Sequence, residues 1–223
     1  MKPAILIPYR PDTPQRERIQ ATTSRLWHEE TGFRPTYSDD GLTGPHFSFA
    51  RAVNRARANV KADYLIVYNA DALPISPEAI AKVWHDLMDG VPWIALFDGQ
   101  QHFTYEQTEQ LLAGENPVTQ VGPARGPIAM GREALLGIRA DVFDDLRGYD
   151  ERFVGWGLED FAIHRVLTLL YPDGCDKPEY GLFQSLWHPH APRTRFDANN
   201  ELWHRYLAIE DPAEMRAFYL SRP

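Results

Sequence analysis

Short apolar runs alternate with amphipathic stretches along the first hundred residues of the chain. Continuous apolar runs bounded by polar or turn residues predict buried strands. The predicted strands cover residues 4–7, 36–38, 64–68 and 93–97. Three helices are predicted: the first begins at Thr13-Pro14, the second covers 47–58 and the third covers 76–88. This β-α-β-α-β-α-β order predicts an α/β fold, with a mixed, mostly parallel sheet and helices on both faces.

The second half of the chain has a less regular pattern. A helical pattern over 105–113 is followed by a proline- and glycine-rich stretch, 116–129, which predicts loops near the site. The further predicted elements are a strand at 134–138, helices at 141–146 and 159–171, a strand at 182–187, and helices at 199–209 and 212–220. We therefore expect one domain over 1–195, with halves 1–97 and 98–195, and a helical tail, 196–223, packed on the same domain.

Composition and charge narrow the class of protein. The chain has 223 residues, 43% of them hydrophobic, and a formal net charge of −8. That charge argues against a broad basic face for nucleic acid, although a local patch remains possible. Cys175 is the single cysteine, so no internal disulfide can form. No run approaches about 18 apolar residues, which favours a soluble cytoplasmic protein without membrane insertion.

The segment 148–160 carries the strongest local signal for chemistry. Gly155 and Gly157 flank Trp156 and free the backbone on both sides, so the indole is expected to move as part of a lid. Two adjacent carboxylates, Glu159 and Asp160, follow at the start of a helix. The apolar stripe of that helix indicates that Asp160 points roughly toward the buried side. The alternative is a helix-capping acid after a glycine turn.

Polar residues also follow several predicted strands, at the edge where open α/β sheets bind ligands. They are Tyr9-Arg10, Asp39-Asp40, Asp71 and the pair His188/His190. Asp71 and a histidine offer the oxygen and nitrogen ligands that Mn²⁺ accepts, which predicts a divalent metal there. The alternatives are turn chemistry for Asp39-Asp40 and a surface turn for the histidines.

An ordered set of motifs resembles a known family. A Pro-aromatic-Arg stands at 8–10, a Phe-x-x-Ala-Arg-x-x-Asn at 47–54, an Asp-x-Asp-like Asn-Ala-Asp at 69–71, a Gly-Trp-Gly-x-Glu-Asp at 155–160 and a late histidine at 188–190. In this order they are similar to the motifs of GT-A-fold glycosyltransferases, and within that fold of the β-1,4-galactosyltransferase group. The resemblance covers roughly residues 4–195.

The resemblance implies a Rossmann-like nucleotide-diphospho-sugar transferase fold and an inverting, metal-dependent sugar transfer. The donor would be a nucleotide-diphosphate sugar such as a UDP-sugar, the acceptor a hydroxyl, and the cofactor Mn²⁺ or Mg²⁺. Its implied catalytic residues are Asp160 as the base, Glu159 and Trp156. Its implied donor-binding residues are Pro8, Tyr9, Arg10, Asp39, Phe47, Arg51, Asn69, Asp71 and Gly157. Its implied metal ligands are Asp71, His188 and His190.

Three departures from the family pattern leave the donor open. Asn69 replaces the first aspartate of the metal motif, Leu158 replaces a glycine of the Trp segment, and Phe49 replaces an arginine. Whether the enzyme would transfer a hexose or a pentose, and its oligomeric state, also stay open.

Other functions remain in view. A nucleotidyltransferase would need a glycine-rich loop after the first strand, and none is present. A non-catalytic nucleotide-sugar-binding domain is favoured by Asn69 and opposed by the intact Trp156 and Asp160. A phage-type enzyme that glycosylates hydroxymethylated pyrimidines in DNA would need a phosphate-binding rim. Candidates for that rim are Arg125, Arg132, Arg139, Arg147, Arg193 and Arg195, unless they pair with neighbouring acids.

Overall fold

Eight strands and eight helices are found in a computed structural model that describes residues 2–97, 99–114, 123–130, 135–175, 182–189 and 192–222. The strands are β1 (Ala4–Pro8), β2 (Thr36–Ser38), β3 (Tyr64–Val67), β4 (Trp93–Ala95), β5 (Gly99–His102), β6 (Ile128–Met130), β7 (Leu136–Arg139) and β8 (Leu182–Ser185). The helices are α1 (Pro14–Leu26), α2 (Phe49–Ala58), α3 (Pro77–Met88), α4 (Tyr105–Leu112), α5 (Ala140–Asp145), α6 (Glu159–Leu170), α7 (Phe196–Leu207) and α8 (Pro212–Leu220). A π-helical turn, Trp27–Thr31, extends α1.

The central sheet has the order β2-β1-β3-β7-β4. β1 pairs in parallel with β2 and β3, whereas β7 runs antiparallel to both β3 and β4. Four strands therefore share one direction and β7 opposes them. The predicted mixed, mostly parallel sheet is confirmed.

Local capping explains where most helices begin. The side chains of Thr13, Ser76 and Thr104 each accept a hydrogen bond from a backbone N–H in the first turn of α1, α3 and α4. α2 starts at Phe49 instead of the expected residue 47, because Ser48 is its cap and accepts from the Arg51 N–H at 3.3 Å. Phe47 consequently lies before the helix.

Apolar side chains cover the two faces of the central sheet in separate layers. One layer packs the π-helical turn after α1, and α3, against the sheet through residues such as Trp27, Ile80 and Val83. The other packs α2, α5, α6, α7 and α8 through residues such as Val53 and Val166. Helices on both faces are therefore confirmed.

A second sheet, in the order β6-β5-β8, was not expected from the sequence. β5 has the sequence Gly-Gln-Gln-His, which carries no apolar alternation, and β6 lies in the stretch expected to be loop. β8 pairs in parallel with β5 and so does not extend the central sheet. The predicted strand at 182–187 was right as an element and ends two residues earlier, at Ser185.

The two last helices contribute to the core. Tyr206 of α7 and Met215 and Tyr219 of α8 are buried against α6 and α5. Leu207 is 45% exposed and does not join this packing. No helix in the described part of the chain is long and apolar enough to cross a membrane.

Candidate active site

The loops after β1, β2 and β3 leave the central sheet at one edge. The Tyr9 N–H donates to the Ser38 carbonyl at 2.9 Å, and the Tyr68 N–H donates to the Leu6 carbonyl at 2.9 Å. These bonds continue the strand pairing just past the ends of the strands. The polar residues that follow each strand are therefore brought to the same edge, as open α/β sheets require of a ligand site.

Arg10 is committed to the fold of the neighbouring loop. Its Nη2 lies 2.5 and 2.7 Å from the two carboxylate oxygens of Asp40, and its guanidinium also donates to the carbonyls of Gly44, Leu42 and His46. The Ser48 N–H donates to Asp40 as well, at 2.8 Å. Although burial alone would raise the pKa of Asp40, these hydrogen bonds lower it below its ordinary value. The pair fixes residues 40–48 against β1.

Other predicted donor-binding residues lie around this loop in different environments. Asp39 is exposed, accepts from the Gly41 N–H at 2.9 Å and lies 3.6 Å from the Arg55 guanidinium. Arg51 points toward Glu151 at 4.0 Å. Pro8 is buried in β1, whereas Asn69 is half-buried in a turn after β3. Their donor-binding roles stay predictions.

Asp71 and His188 meet although they come from different sheets. The Leu186 N–H donates to the Asp71 carbonyl at 2.8 Å, and the Leu73 N–H donates to the Gln184 carbonyl at 2.9 Å. These backbone bonds join the loop after β3 to the end of β8. They place His188 Nε2 3.6 Å from Asp71 Oδ2. The two residues are adjacent, as the metal prediction requires.

The electrostatics of this pair keep Asp71 ionised. Burial alone would raise the pKa of Asp71, but the hydrogen bond and charge of His188 lower it below its ordinary value. Burial alone would lower the pKa of His188, but Asp71 raises it. Arg16, in the first turn of α1, also lowers both pKa values through its charge. Sequence reasoning missed Arg16, which its position just after β1 could have indicated.

The donor atoms of the pair fit a divalent cation. His188 Nδ1 lies 2.8 Å from the Pro189 carbonyl, which can only accept, so Nδ1 carries a proton and Nε2 faces Asp71. An imidazole nitrogen beside a carboxylate oxygen suits Mn²⁺. No group of three or more His, Cys, Asp or Glu side chains forms a metal cluster within the described ranges. His190 lies outside the described residues.

The segment 148–155 runs along α2 toward this edge. Asn54 accepts from the Tyr149 N–H at 2.8 Å and donates to the Tyr149 carbonyl at 3.0 Å, so both ends of this half-buried amide have a partner. A Cβ on Gly148 would lie 2.1 Å from Asn54 Oδ1, so only glycine fits there. At the other end of α2, the Gly155 N–H donates to the Phe47 carbonyl at 2.8 Å. The 47–54 motif therefore holds the Trp segment in place.

Leu158 turns the chain into α6 in an unfavourable backbone conformation. Its φ is +80°, in the left-handed region that glycine adopts without cost. A non-glycine residue there costs about 1–2 kcal/mol. The position is therefore one at which the glycine of the resembled motif would be expected, and Leu158 offsets part of the cost by packing against the core. The next two residues are the carboxylates.

Asp160 lies in the first turn of α6 and is half-buried. It is not the helix cap, since Leu158 occupies that position, and its Oδ1 accepts from the Phe161 N–H at 2.9 Å. Burial raises the pKa of Asp160 from 3.8 to about 6, although this hydrogen bond opposes the shift. Burial also raises the pKa of Tyr149, and the charges of Asp160 and Glu159 raise it further. Both carboxylates therefore lie near that buried phenol.

Trp156 is 39% exposed, and its segment is fastened to the tail. Asn199, buried on α7, donates to the carbonyls of Val154, Trp156 and Gly157 at 3.1–3.3 Å and accepts from the Val154 N–H at 3.4 Å. The indole ring also packs against Phe196, with centroids 5.7 Å apart. Sequence reasoning missed Asn199. A single amide on the buried face of a tail helix was its available signal.

The arginines proposed as a phosphate-binding rim have different partners. Arg139 pairs with Asp141 at 2.5 Å, and Arg147 donates to the Leu220 carbonyl at 3.5 Å. Arg193 stacks on Trp156, with its guanidinium carbon 4.1 Å from the ring centroid. Arg125 and Arg195 are exposed, and Arg132 lies outside the described residues. The structure therefore brings Arg193 and Arg195 to the Trp segment and leaves Arg139 and Arg147 in other contacts.

A cavity of about 330 Å³ lies on the face of the sheet covered by α1 and α3. It is lined by residues such as Tyr68, Leu73, Phe97 and Phe183, and by none of the predicted site residues. The residues predicted for the site lie outside this cavity, in the loops after β1, β2, β3 and β8 and in the segment that leads into α6.

No protein-family model matches the chain, and no curated protein matches it. The fold is similar to solved glycosyltransferases. Glucosyl-3-phosphoglycerate synthase from Mycobacterium tuberculosis, in complex with Mn²⁺, UDP and glucosyl-3-phosphoglycerate, matches with 13% identity over 92% of this chain and 78% of that chain, at a TM-score of 0.51. The structure of the same enzyme with Mn²⁺, UDP and phosphoglyceric acid matches at 12% identity. The match covers 100% of this chain and 79% of that chain, with a TM-score of 0.50.

The catalytic domain of Drosophila β1,4-galactosyltransferase 7, in complex with xylobiose, matches at 14% identity over 95% of this chain and 83% of that chain. Its TM-score is 0.48. Identities this low speak to the fold alone. The mixed α/β sheet with helices on both faces is the GT-A glycosyltransferase fold.

Proposed function

We propose that the chain is an inverting glycosyltransferase that moves a sugar from a nucleotide-diphosphate sugar, such as a UDP-sugar, to a hydroxyl group. Asp160 is its base, and Asp71 and His188 bind a divalent metal. The fold neighbours support the general class, because the mycobacterial synthase is solved with Mn²⁺ and UDP. The details rest on the residues of this chain.

The observation that carries the proposal is the environment of Asp160. A carboxylate with a pKa near 6 is mostly ionised at neutral pH, yet it is a stronger proton acceptor than an ordinary aspartate. It stands in the first turn of a helix, four residues after the half-exposed Trp156. A carboxylate with a perturbed pKa is a candidate for acid–base chemistry.

The donor diphosphate would lie at the Asp71–His188 pair. There the metal would supply positive charge to the leaving phosphate. With two described protein ligands, the cation would be held weakly until the phosphates complete its coordination. Tyr9 follows β1 at the same edge, where nucleotides bind in open α/β sheets.

The transfer would be a single displacement. The acceptor oxygen attacks the anomeric carbon, the bond from that carbon to the phosphate oxygen breaks, and the nucleoside diphosphate leaves. Asp160 takes the acceptor's proton as the new bond forms. One displacement inverts the anomeric configuration. Trp156 would cover the reacting bond and exclude water that would hydrolyse the donor.

The decisive test is a nucleotide-sugar panel with Mn²⁺ or Mg²⁺, in which release of nucleoside diphosphate is measured by the wild type and by Asp160→Asn. Asp173→Asn is the matched control, since Asp173 is exposed in the turn after α6. We expect release from at least one donor by the wild type and the control, and strong loss in Asp160→Asn. Release from no donor would refute the proposal, and retention at the anomeric carbon would exclude the single-base mechanism.

A further inference from the structure

Two arginines beside Trp156 have no carboxylate partner in the part of the chain that the structure describes. Arg193 and Arg195 lie just before α7 and are both exposed. No ion pair or side-chain hydrogen bond joins either guanidinium to another described residue. They are two residues apart on the segment that leads into the helix holding the Trp segment.

Several arginines elsewhere in the described part of the molecule are, by contrast, paired with a carboxylate. Arg10 pairs with Asp40, Arg57 with Asp144 at 2.7 Å, and Arg216 with Asp145 at 2.8 Å. The chain has 31 acidic and 23 basic residues, so carboxylates outnumber cations. Two guanidiniums on one short segment without a carboxylate partner among the described residues leave positive charge that a bound anion would neutralise.

Contacts with the Trp segment hold both arginines in place. The Arg193 guanidinium carbon lies 4.1 Å from the centroid of Trp156, a cation–π contact that uses none of its N–H donors. A Cβ on Gly155 would lie 3.2 Å from Arg195 Cβ, so Arg195 packs directly on the backbone there. His46 Nδ1 lies 3.8 Å from the same point. Three nitrogen-bearing side chains therefore surround Gly155-Trp156.

The location connects this cluster with the candidate site. The Gly155 N–H donates to the Phe47 carbonyl, and Arg10 donates to the His46 carbonyl, so the cluster adjoins the loop that follows β2. On its other side, Trp156 is four residues before Asp160. A ligand held by the arginines would thus contact the segment that leads from the loop after β2 into α6.

We propose that Arg193 and Arg195, with Trp156, bind a phosphoryl group of a substrate. Guanidinium groups are the side chains best suited to the planar, multiple hydrogen bonds that phosphate oxygens accept. The inference deepens the proposed transferase function and rests on it. The phosphoryl group belongs either to the donor diphosphate or to a phosphorylated acceptor.

A single phosphoryl group fits the observations better than a nucleic acid. A nucleic-acid backbone would need a row of available cations along its path. Arg139 and Arg147 are already engaged by Asp141 and by a carbonyl, and the net charge of the chain is −8. Of the arginines considered for such a path, Arg193 and Arg195 lie beside Trp156, whereas Arg125 is exposed on a separate segment after α4.

The test uses the double variant Arg193→Gln/Arg195→Gln in the full chain. Arg205→Gln is the matched control, because Arg205 is also exposed in the tail and stacks on an aromatic ring, Phe218, at 4.8 Å. Calorimetry measures binding of uridine, UDP and inorganic phosphate, the last with and without saturating UDP. Thermal unfolding of each variant verifies that the fold is intact.

A donor role predicts that the double variant binds UDP at least about tenfold more weakly while uridine binding is unchanged. An acceptor role predicts unchanged UDP binding and loss of phosphate binding measured in saturating UDP. Either result supports the inference. If the double variant binds UDP and phosphate as Arg205→Gln does, or if the wild type binds neither, the inference is wrong.

These measurements need no turnover, so they separate the inference from the proposed function. If no donor is hydrolysed or used, but phosphate binding still depends on the two arginines, the transferase proposal fails and the phosphoryl site stands. If the double variant uses donors normally and its binding of UDP and phosphate is unchanged, the phosphoryl site is wrong and the transferase proposal stands.

Discussion

Asp71 and Asp160 are both aspartates of the predicted site, yet their pKa values shift in opposite directions. Although burial alone would raise it, the pKa of Asp71 is lowered by His188 and by the charge of Arg16. The pKa of Asp160 is raised to about 6 by burial, which the Phe161 N–H only partly offsets. Two carboxylates whose surroundings move their pKa values apart are typical of a site that divides its roles.

The difference assigns each carboxylate the task that its surroundings allow. Asp71 stays ionised over the whole physiological pH range. A permanent negative charge suits a residue that binds a cation. Asp160 is also mostly ionised at neutral pH, but its raised pKa makes it the stronger proton acceptor of the two. The same comparison predicts what happens when either environment is altered.

The largest effect is expected at the Asp71 side. Asp71→Ala should abolish Mn²⁺-dependent turnover, because the change removes the anionic ligand and leaves His188 alone. Asp63→Ala, an exposed residue at the opposite edge before β3, serves as the control. Turnover is measured by nucleoside diphosphate release over a Mn²⁺ titration. Full Mn²⁺-dependent activity in Asp71→Ala would place the metal elsewhere.

Asp160→Asn comes next. The amide keeps the shape and can still accept from the Phe161 N–H, but it cannot take a proton. Turnover should fall by roughly 10²–10⁴-fold, the usual contribution of a positioned base. Donor affinity should barely change, since the loss is confined to the transition state. Near-normal turnover with much weaker donor binding would instead make Asp160 a binding residue.

Asn199→Ala tests whether the helical tail sets the positions of Trp156 and of the catalytic base, Asp160. Loss of the amide frees the backbone of residues 154–157, so Trp156 and the start of α6 should be less well positioned. We expect turnover to fall by about 10–100-fold, the scale that a small misplacement costs. Asn200→Ala, its half-buried neighbour on α7, is the control.

Steady-state kinetics and Trp fluorescence distinguish a positioning role from general damage. A positioning residue should lower kcat more than it raises KM, and the donor-dependent fluorescence change of Trp156 should be smaller than in Asn200→Ala. Equal effects of the two variants would show that the hydrogen bonds of Asn199 to residues 154–157 do not control the site.

The pH dependence of turnover should report the raised pKa. The ionised form of Asp160 is the base, so kcat should fall as pH drops through about 6, approaching tenfold per unit below it. A profile that is flat down to pH 4.5, in a range where the protein stays folded, would contradict the assignment.

Stability should show the smallest effect, with the opposite sign. Because the folded pKa of Asp160 lies above its unfolded value, the native state binds more protons between about pH 4 and 6, and stability falls as pH rises through that window. Above it, ionised Asp160 carries a cost that Asp160→Asn lacks. The variant should gain on the order of 1–3 kcal/mol at pH 7. Urea unfolding at pH 4 and pH 7 measures it, and a gain that is equal at both pH values would have another cause.

Local signals in the sequence determined much of the fold. The strands of the first half, the helix starts at Thr13 and Ser76, and the apolar stripe of α6 depend on residues close in the chain. The structure has these elements where they were expected. The order of strands and helices then limited the topology to a mostly parallel sheet. Asn54 was also recognisable, because a half-buried amide on an apolar helix face must find partners.

Long-range pairing decided the rest. β5 has no apolar pattern and forms because β6 and β8 supply its hydrogen bonds from about 30 and 80 residues away. Asp39 is exposed, whereas Asp40 is buried against Arg10. This difference arises because the loop after β2 folds against β1. Packing of the tail and α6 decides three further features. They are the hydrogen bonds from Asn199 to the Trp segment, the position of Arg193 on Trp156 and the raised pKa of Asp160. Burial sets these properties, and no local sequence pattern encodes burial by distant segments.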